Sequence, residues 1–437
     1  MVCAVTLLTL NLQHLYTTLG VTFLRAIHRR NAGDSLFAND GQWYNYSIKN
    51  FRLFVYSAFY DDRPSLLSDP IIRIIGFSDP IDDLRAKNVT LLYCILRHDA
   101  KDIVVIMKDS PKAIGFGWPI NKKNAYEYMY ICPTLTGMIP ESVSIVASLE
   151  EDYPLGVPVT VQNKPAAPQN FCVCVHAVYG ALDPYRIIEW MELQKILGIN
   201  FVGVSVFSST NLTVKVFKHY IDEGFLDIRK TNPIYPNDVP ARHYKIQLSP
   251  TINDCIYRHM FEFRRIIVMD FDEFIIPRLH RSIWELLADL EERNAKNKTI
   301  KLHFAFRNNY FFMNLPPDDK MSPYLKVLQF RKKGQVYPAG YSVKSIINPQ
   351  ACSHAHNHYC WGVTANYTKH SKYNYDFTQT VDPTYAVNQH YKMCHFTDEH
   401  CDSLFQNVTQ DDIMLKFKDI LSEKVREKVK IIMDHDI

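Results

Sequence analysis

The chain carries no glycine-rich phosphate loop, no Cys-x-x-Cys pairing of a zinc site and no Gly-x-Ser-x-Gly elbow. These absences remove P-loop, zinc-ribbon and serine-hydrolase chemistry from consideration. Strong charge of either sign is also missing. Its 49 Lys and Arg against 46 Asp and Glu leave +3 over 437 residues, too little to imply a polyanionic partner such as nucleic acid. There is no internal repeat and no low-complexity tract. At the amino terminus no charged side chain occurs before Arg25. The 24 residues ahead of it are enough for a helix to span a bilayer.

Residues 1–24 are therefore expected to be a membrane anchor, with 25–50 as a stem. The basic cluster Arg25, His28, Arg29 and Arg30 follows the apolar run, which under the positive-inside rule disfavours a luminal carboxyl-terminal domain. A signal peptide and an incomplete amino terminus are the alternatives. Six Asn-x-Ser/Thr sequons, at Asn45, Asn88, Asn211, Asn297, Asn366 and Asn407, point the other way, to the lumen. Nine cysteines lie beyond Cys3, and the close spacings of Cys352 with Cys360 and Cys394 with Cys401 suit disulfide-closed loops, with one thiol left over. The combined expectation is a single-pass protein of the secretory pathway, in the Golgi, with its catalytic part in the lumen.

What the chain does have is apolar bulk, 47% of residues, in two patterns. From residue 51 to 161, short β-type runs such as RLFVYSAFY and DIVVIMK alternate with turn residues, and predict a small antiparallel β domain. Trp43, Tyr56 and Tyr60 read there as core or turn aromatics. After VQNKPAAPQN, strand and helix patterns alternate: FCVCVHAVYG, then Tyr185 to Leu197 with Gly198 at its C-cap, then FVGVSVF. Such alternation predicts an α/β domain around a parallel sheet, over residues 168–400, with a helical tail over 401–437.

The organising stretch is RRIIVMDFDEFIIPR, residues 264–278. Ile266 to Met269 form the continuous apolar run of a central strand, and Asp270, Asp272 and Glu273 follow at once. Ligands in open α/β sheets gather at the carboxyl ends of such strands. Asp-x-Asp there suits a hard divalent cation, Mn2+ or Mg2+, which takes oxygen ligands and accepts phosphate. An acidic surface turn is the plain alternative. A phosphatase of the haloacid-dehalogenase type, with Asp270 as nucleophile, is another, although Glu273 and Phe274 stand where that family usually has smaller residues.

The ordered set VCVHAVYG, EWMELQKILGI, Gln247 with NDCIYR, VMDFDEFIIP, SVKSIINP and VDPTYAVNQHYK resembles glycosyltransferase family 92. The resemblance implies a GT-A (Rossmann-like) catalytic domain and a metal-dependent inverting transferase. It would move a hexose, galactose from UDP-galactose, to a glycan acceptor such as fucose on an N-glycan core. It implies Asp270 and Asp272 as metal ligands, with His390 or His356 as the additional one. Tyr179, Asn253, Asp254, Lys344 and Lys392 would serve the UDP-sugar, and Asp318, Asp319 and Asp376 are candidate bases. Two positions depart from the family pattern: His176-Ala177 replaces a common Pro, and Lys392 replaces the usual Arg, losing a planar fork for phosphate. A member that binds glycans without transferring sugar is the corresponding alternative.

Overall fold

A computed structural model describes residues 42–434 apart from 47–50, 67, 87–88, 90, 108–110, 116–117, 121–122, 151–152, 233–247, 372–373 and 395–396. The expected anchor and Gln247 lie outside these residues. Among the described residues no helix is long and apolar enough to cross a membrane.

Residues 44–160 build one ten-stranded sheet. It is antiparallel except where Val157–Thr160 runs parallel to Leu53–Asp61, so the sheet is mixed. The strand Ile71–Ser78 is buried along its whole length, because the sheet is covered on both sides, and it therefore reads as a continuous apolar run rather than an alternating one. One face holds a core around Leu53, Ile72 and Tyr130. The other packs Phe59, Ile75 and Met129 against Tyr257 and Met260 of the α/β part. Tyr56 and Tyr60 are buried in the core, and the partly exposed Trp43 lies tilted against Tyr56 at 4.8 Å.

In the α/β part the elements are β1 (Gln169–Val178), α1 (Pro184–Ile196), β2 (Phe201–Val206), α2 (Asn211–Asp222) and β3 (Leu226–Lys230). Then come α3 (Leu248–His259), β4 (Phe263–Val268), β5 (Glu273–Pro277), α4 (Ile283–Lys296), β6 (His303–Phe306), β7 (Asn308–Phe312), β8 (Lys332–Val336) and β9 (Lys344–Ile347). The hairpin β10 (Cys352–Ala355) and β11 (Cys360–Val363) precedes β12 (Thr378–Val381), β13 (Ala386–Lys392), α5 (Asp398–Gln406), β14 (Thr409–Gln410) and α6 (Lys418–Met433).

A seven-stranded sheet has the order β3-β2-β1-β4-β9-β6-β12. Strands β3, β2, β1 and β4 are parallel, and β9 joins β4 antiparallel. The order reverses between β1 and β4, which makes the crevice at their carboxyl ends the topological switch point. A five-stranded sheet, β5-β13-β7-β8-β14, continues from the same end. Among the described residues four disulfides, Cys94–Cys132, Cys174–Cys255, Cys352–Cys360 and Cys394–Cys401, staple these elements and leave Cys172 as a buried thiol.

Candidate active site at the switch point

Strand β4 ends at Val268, and a tight turn carries Asp270, Phe271 and Asp272 before β5 begins at Glu273. Phe271 is anchored edge-on against Trp190 of α1 at 4.8 Å and stacked on Phe217 of α2 at 6.0 Å. Trp190 in turn donates its indole N–H to the Glu273 carbonyl at 3.0 Å. With the intervening ring pinned inward, both aspartates face outward, 37% and 34% exposed. The apolar residue between the acids is thus what aims them.

Partners arrive from strands far away in sequence. From β9, the Lys344 ammonium lies 3.0 Å from Asp270 Oδ2 and 2.8 Å from Glu273 Oε2. From β13, His390 places Nε2 3.3 Å from Asp272 Oδ2 and Nδ1 3.1 Å from Glu273 Oε1. From the end of β1, the buried His176 brings Nδ1 within 3.4 Å of Asp270 Oδ1. Burial works against ionisation of Asp270, yet Lys344 and the imidazoles hold its carboxyl well below the usual range. Burial pushes the Glu273 carboxyl up. It opposes protonation of His390 too, but Glu273 and Asp272 outweigh it and raise the imidazole.

Oxygens of Asp270, Asp272 and Glu273 lie within 4.8 Å of one another. Three carboxylates face one buried ammonium, so the cluster keeps a surplus of negative charge that a divalent cation fits. It opens on a cavity of about 350 Å³ lined by Asp183, Arg186, Asp270, Asp272, His390 and Lys392 among others, within the range of small-molecule sites. Arg186, half-buried in the first turn of α1, donates to the Tyr391 carbonyl at 3.0 Å. Asp183 caps α1 by accepting from the Tyr185 N–H at 2.9 Å. Sequence reasoning did not single out Arg186 or Asp183. The Asp-Pro pair that opens α1 is an N-cap signature, and a helix beginning just after a central strand puts its first turn at the ligand end of the sheet.

The other expected residues divide by place. Lys392 and His390 reach the cavity with Asp270 and Asp272. Tyr179 stacks on Phe207 at 4.6 Å where β1 and β2 end. Lys344 is 2% exposed and committed to the carboxylates, a counter-ion within the protein rather than a group facing the cavity. His356 stacks flat on Trp361 at 4.7 Å and is not among the residues lining the cavity, its imidazole lowered to about 3 by burial. Asn253 spends its amide on Ser249 and Ala355, at 2.7 to 2.8 Å. Asp254 pairs with Arg229 at 2.8 Å and Arg258 at 2.9 Å. These two hold α3 in place.

None of the expected bases lines the cavity. Asp318 is ion-paired with Arg331 and accepts from the Lys320 N–H at 3.0 Å; Asp319 is exposed on the same loop. Asp376 is at the wrong edge of the sheet. Through β6 and β9, Thr380 is level with Val268 and its strand runs parallel to β4. Asp270 lies beyond that level and Asp376 before it, toward the opposite edge of the sheet.

The profile of glycosyltransferase family 92 matches residues 169–435. This chain belongs to glycosyltransferase family 92. Among characterised proteins, galactan beta-1,4-galactosyltransferase GALS2 of Arabidopsis thaliana is 28% identical over 126 residues, 28% of this chain and 24% of that relative. The chain thus matches about a quarter of the relative's length. Among solved structures, S. aureus TarS 1-349 in complex with UDP is similar at 10% identity and a TM-score of 0.27, over 61% of this chain and 72% of that one. Its complex with UDP-GlcNAc is similar at 17% identity and a TM-score of 0.20, over 32% and 35%. The family assignment supports a glycosyltransferase reading of the site over the phosphatase reading of Asp270.

Proposed function

We propose that this glycosyltransferase is a GT-A-type, metal-dependent inverting enzyme that moves galactose from UDP-galactose to a glycan acceptor such as fucose on an N-glycan core, in the Golgi lumen. The observation that carries the metal-and-donor part is the acid cluster at the switch point, with surplus negative charge, lining one cavity together with the cations Arg186 and Lys392. The galactosyltransferase named among its relatives favours galactose.

Asp270 and Asp272 would hold the cation, with His390 as the nitrogen ligand. When bound, the cation draws charge from the departing diphosphate as a Lewis acid. Arg186 and Lys392, which line the same cavity, neutralise the same diphosphate. Arg186 supplies the planar donor fork that Lys392 lacks. The Tyr179 face, backed by Phe207, takes the nucleobase. Among the described residues, Asp183 is the carboxylate of the cavity wall outside the acid cluster, and one of its oxygens stays available beyond the helix cap. It accepts the proton of the acceptor hydroxyl while that oxygen bonds to the anomeric carbon and the bond from that carbon to the diphosphate oxygen breaks, releasing UDP.

Calorimetric titration of the full-length protein with UDP and UDP-galactose, with and without Mn2+, tests this. Binding that needs Mn2+ and disappears in Asp272→Asn is the expected result. Equal binding without the metal refutes metal dependence, and a product with retained anomeric configuration refutes inversion.

A further inference from the structure

Glu273 sits among the metal-competent acids, yet it is turned inward, 2% exposed, with both oxygens engaged. Oε2 takes the Lys344 ammonium at 2.8 Å and the Asp270 backbone N–H at 3.2 Å. Oε1 accepts from Asn388 Nδ2 at 3.3 Å and lies 3.1 Å from His390 Nδ1. That last contact is not aligned as a hydrogen bond, and among the described residues no other partner takes this nitrogen. The antiparallel register of β5 and β13 sets Glu273 directly opposite His390. The imidazole thus lies between two carboxylates, with Nδ1 on the buried Glu273 and Nε2 on the outward Asp272.

We infer that Glu273 is a positioning residue: it sets the tautomer of His390, with the proton on Nδ1 and the Nε2 lone pair turned toward the cation held by Asp270 and Asp272. An ionised carboxylate offers acceptors only, so the imidazole satisfies it with an N–H on Nδ1. A neutral ring then carries its lone pair on Nε2, the form that ligates metal, and a carboxylate behind the ring makes that nitrogen more basic. This deepens the proposed function and rests on its reading of the site as one for a divalent cation.

Glu273→Gln isolates the effect with little change of size. A primary amide has one acceptor oxygen and one donor nitrogen. The Lys344 ammonium can only donate, so the amide oxygen turns to Lys344 and the NH2 is left facing His390. Nδ1 must then accept, the ring proton moves to Nε2, and the lone pair facing the cation is lost.

The experiment titrates the full-length protein with Mn2+ alone, in the absence of donor and acceptor, for the wild type, Glu273→Gln, His390→Gln and the double variant. Glu273→Gln should lose about ten- to a hundredfold in Mn2+ affinity, the range for partners behind a metal-ligating histidine. The double variant should bind no more weakly than His390→Gln, because the two act through one nitrogen. Wild-type affinity in Glu273→Gln, or losses that multiply in the double variant, overturns the inference while the metal reading stands. A wild type that takes up no Mn2+ overturns both. Should Glu273→Gln fail to fold, nitrogen NMR of the histidine-labelled wild type decides, with His390→Gln identifying the signal: a proton on Nδ1 supports the role and a proton on Nε2 refutes it.

Discussion

Two buried clusters of charge in this protein look alike in sequence and differ in what they are for. Asp61 closes an apolar strand in FYDDRP much as Asp270 does in VMDFDEF. Around Asp61, however, the account is closed. Arg63 makes a two-pronged pair with it at 2.7 and 2.8 Å, Arg73 adds a second guanidinium, and Arg63 goes on to the Pro349 and Cys352 carbonyls and the Tyr257 hydroxyl. One carboxylate meets two cations, and the result binds the amino-terminal sheet to α3 and the β10 hairpin. Around Asp270 three carboxylates meet one ammonium and a shared imidazole, and the surplus faces a cavity. A closed cluster is a joint; an open one at a switch point is what the proposed function reads as a ligand site.

The largest expected effect tests the open cluster. Asp272→Asn removes part of the surplus without touching the Lys344 pairs, so the fold should persist while turnover with UDP-galactose falls about 10² to 10³-fold, as for other losses of preorganised electrostatic stabilisation. Initial rates and circular dichroism read the two parts separately. Unchanged turnover would erase the distinction between the clusters.

Asp61→Asn tests the closed one. It leaves the buried Arg63 and Arg73 short of a counter-charge, which costs about 3–5 kcal/mol for a broken buried pair. Urea denaturation should show that loss, while Mn2+ affinity of the folded protein stays at the wild-type level. A loss of stability below about 1 kcal/mol would mean that this joint carries little of the fold.

The pH dependence of stability sharpens the same point. Burial opposes ionisation of Asp61, but Arg63 and Arg73 overcome it and lower the carboxyl to about 2 from 3.8. A depressed carboxylate contributes fully above its unfolded value and loses that contribution as pH falls through the folded one. The wild type should therefore lose on the order of 2 kcal/mol between about pH 4 and pH 2 through this group. The Asp61→Asn protein should lack that component, and matched urea midpoints across the interval measure it.

Much of the site was legible because it depends on local pattern. The apolar run of β4 followed by Asp270 and Asp272 marks a strand end, and strand-helix alternation makes that end a ligand edge. The two close cysteine spacings likewise become the Cys352–Cys360 and Cys394–Cys401 bridges. What stayed hidden depends on register and strand polarity. Glu273 meets His390 only because β5 pairs with β13 across more than a hundred residues. Asp254 looks like a ligand acid until Arg229 of β3 is found beside it. Lys344 reads as a phosphate cation until β9 sets it antiparallel to β4, where its ammonium is buried among carboxylates.

Asp376 belongs to neither cluster, and its substitution should have the smallest effect. It is exposed, its carboxylate accepts from the Ser371 hydroxyl, and its carbonyl takes Lys301 Nζ at 2.6 Å. Because β12 runs parallel to β4, residues that precede β12 lie at the amino-terminal edge of the sheet, and the proposed reacting groups lie at the carboxyl-terminal edge. A base must come within hydrogen-bond reach of the hydroxyl it deprotonates, and side-chain motion cannot carry a carboxylate from one edge of a sheet to the other. Asp376→Asn should therefore keep kcat and KM within about twofold of the wild type, whereas Asp183→Asn should lower kcat by about 10² or more, the usual contribution of a positioned base. A tenfold fall in kcat for Asp376→Asn alone would place the chemistry at the other edge, and would make the open cluster at Asp270 a structural feature after all.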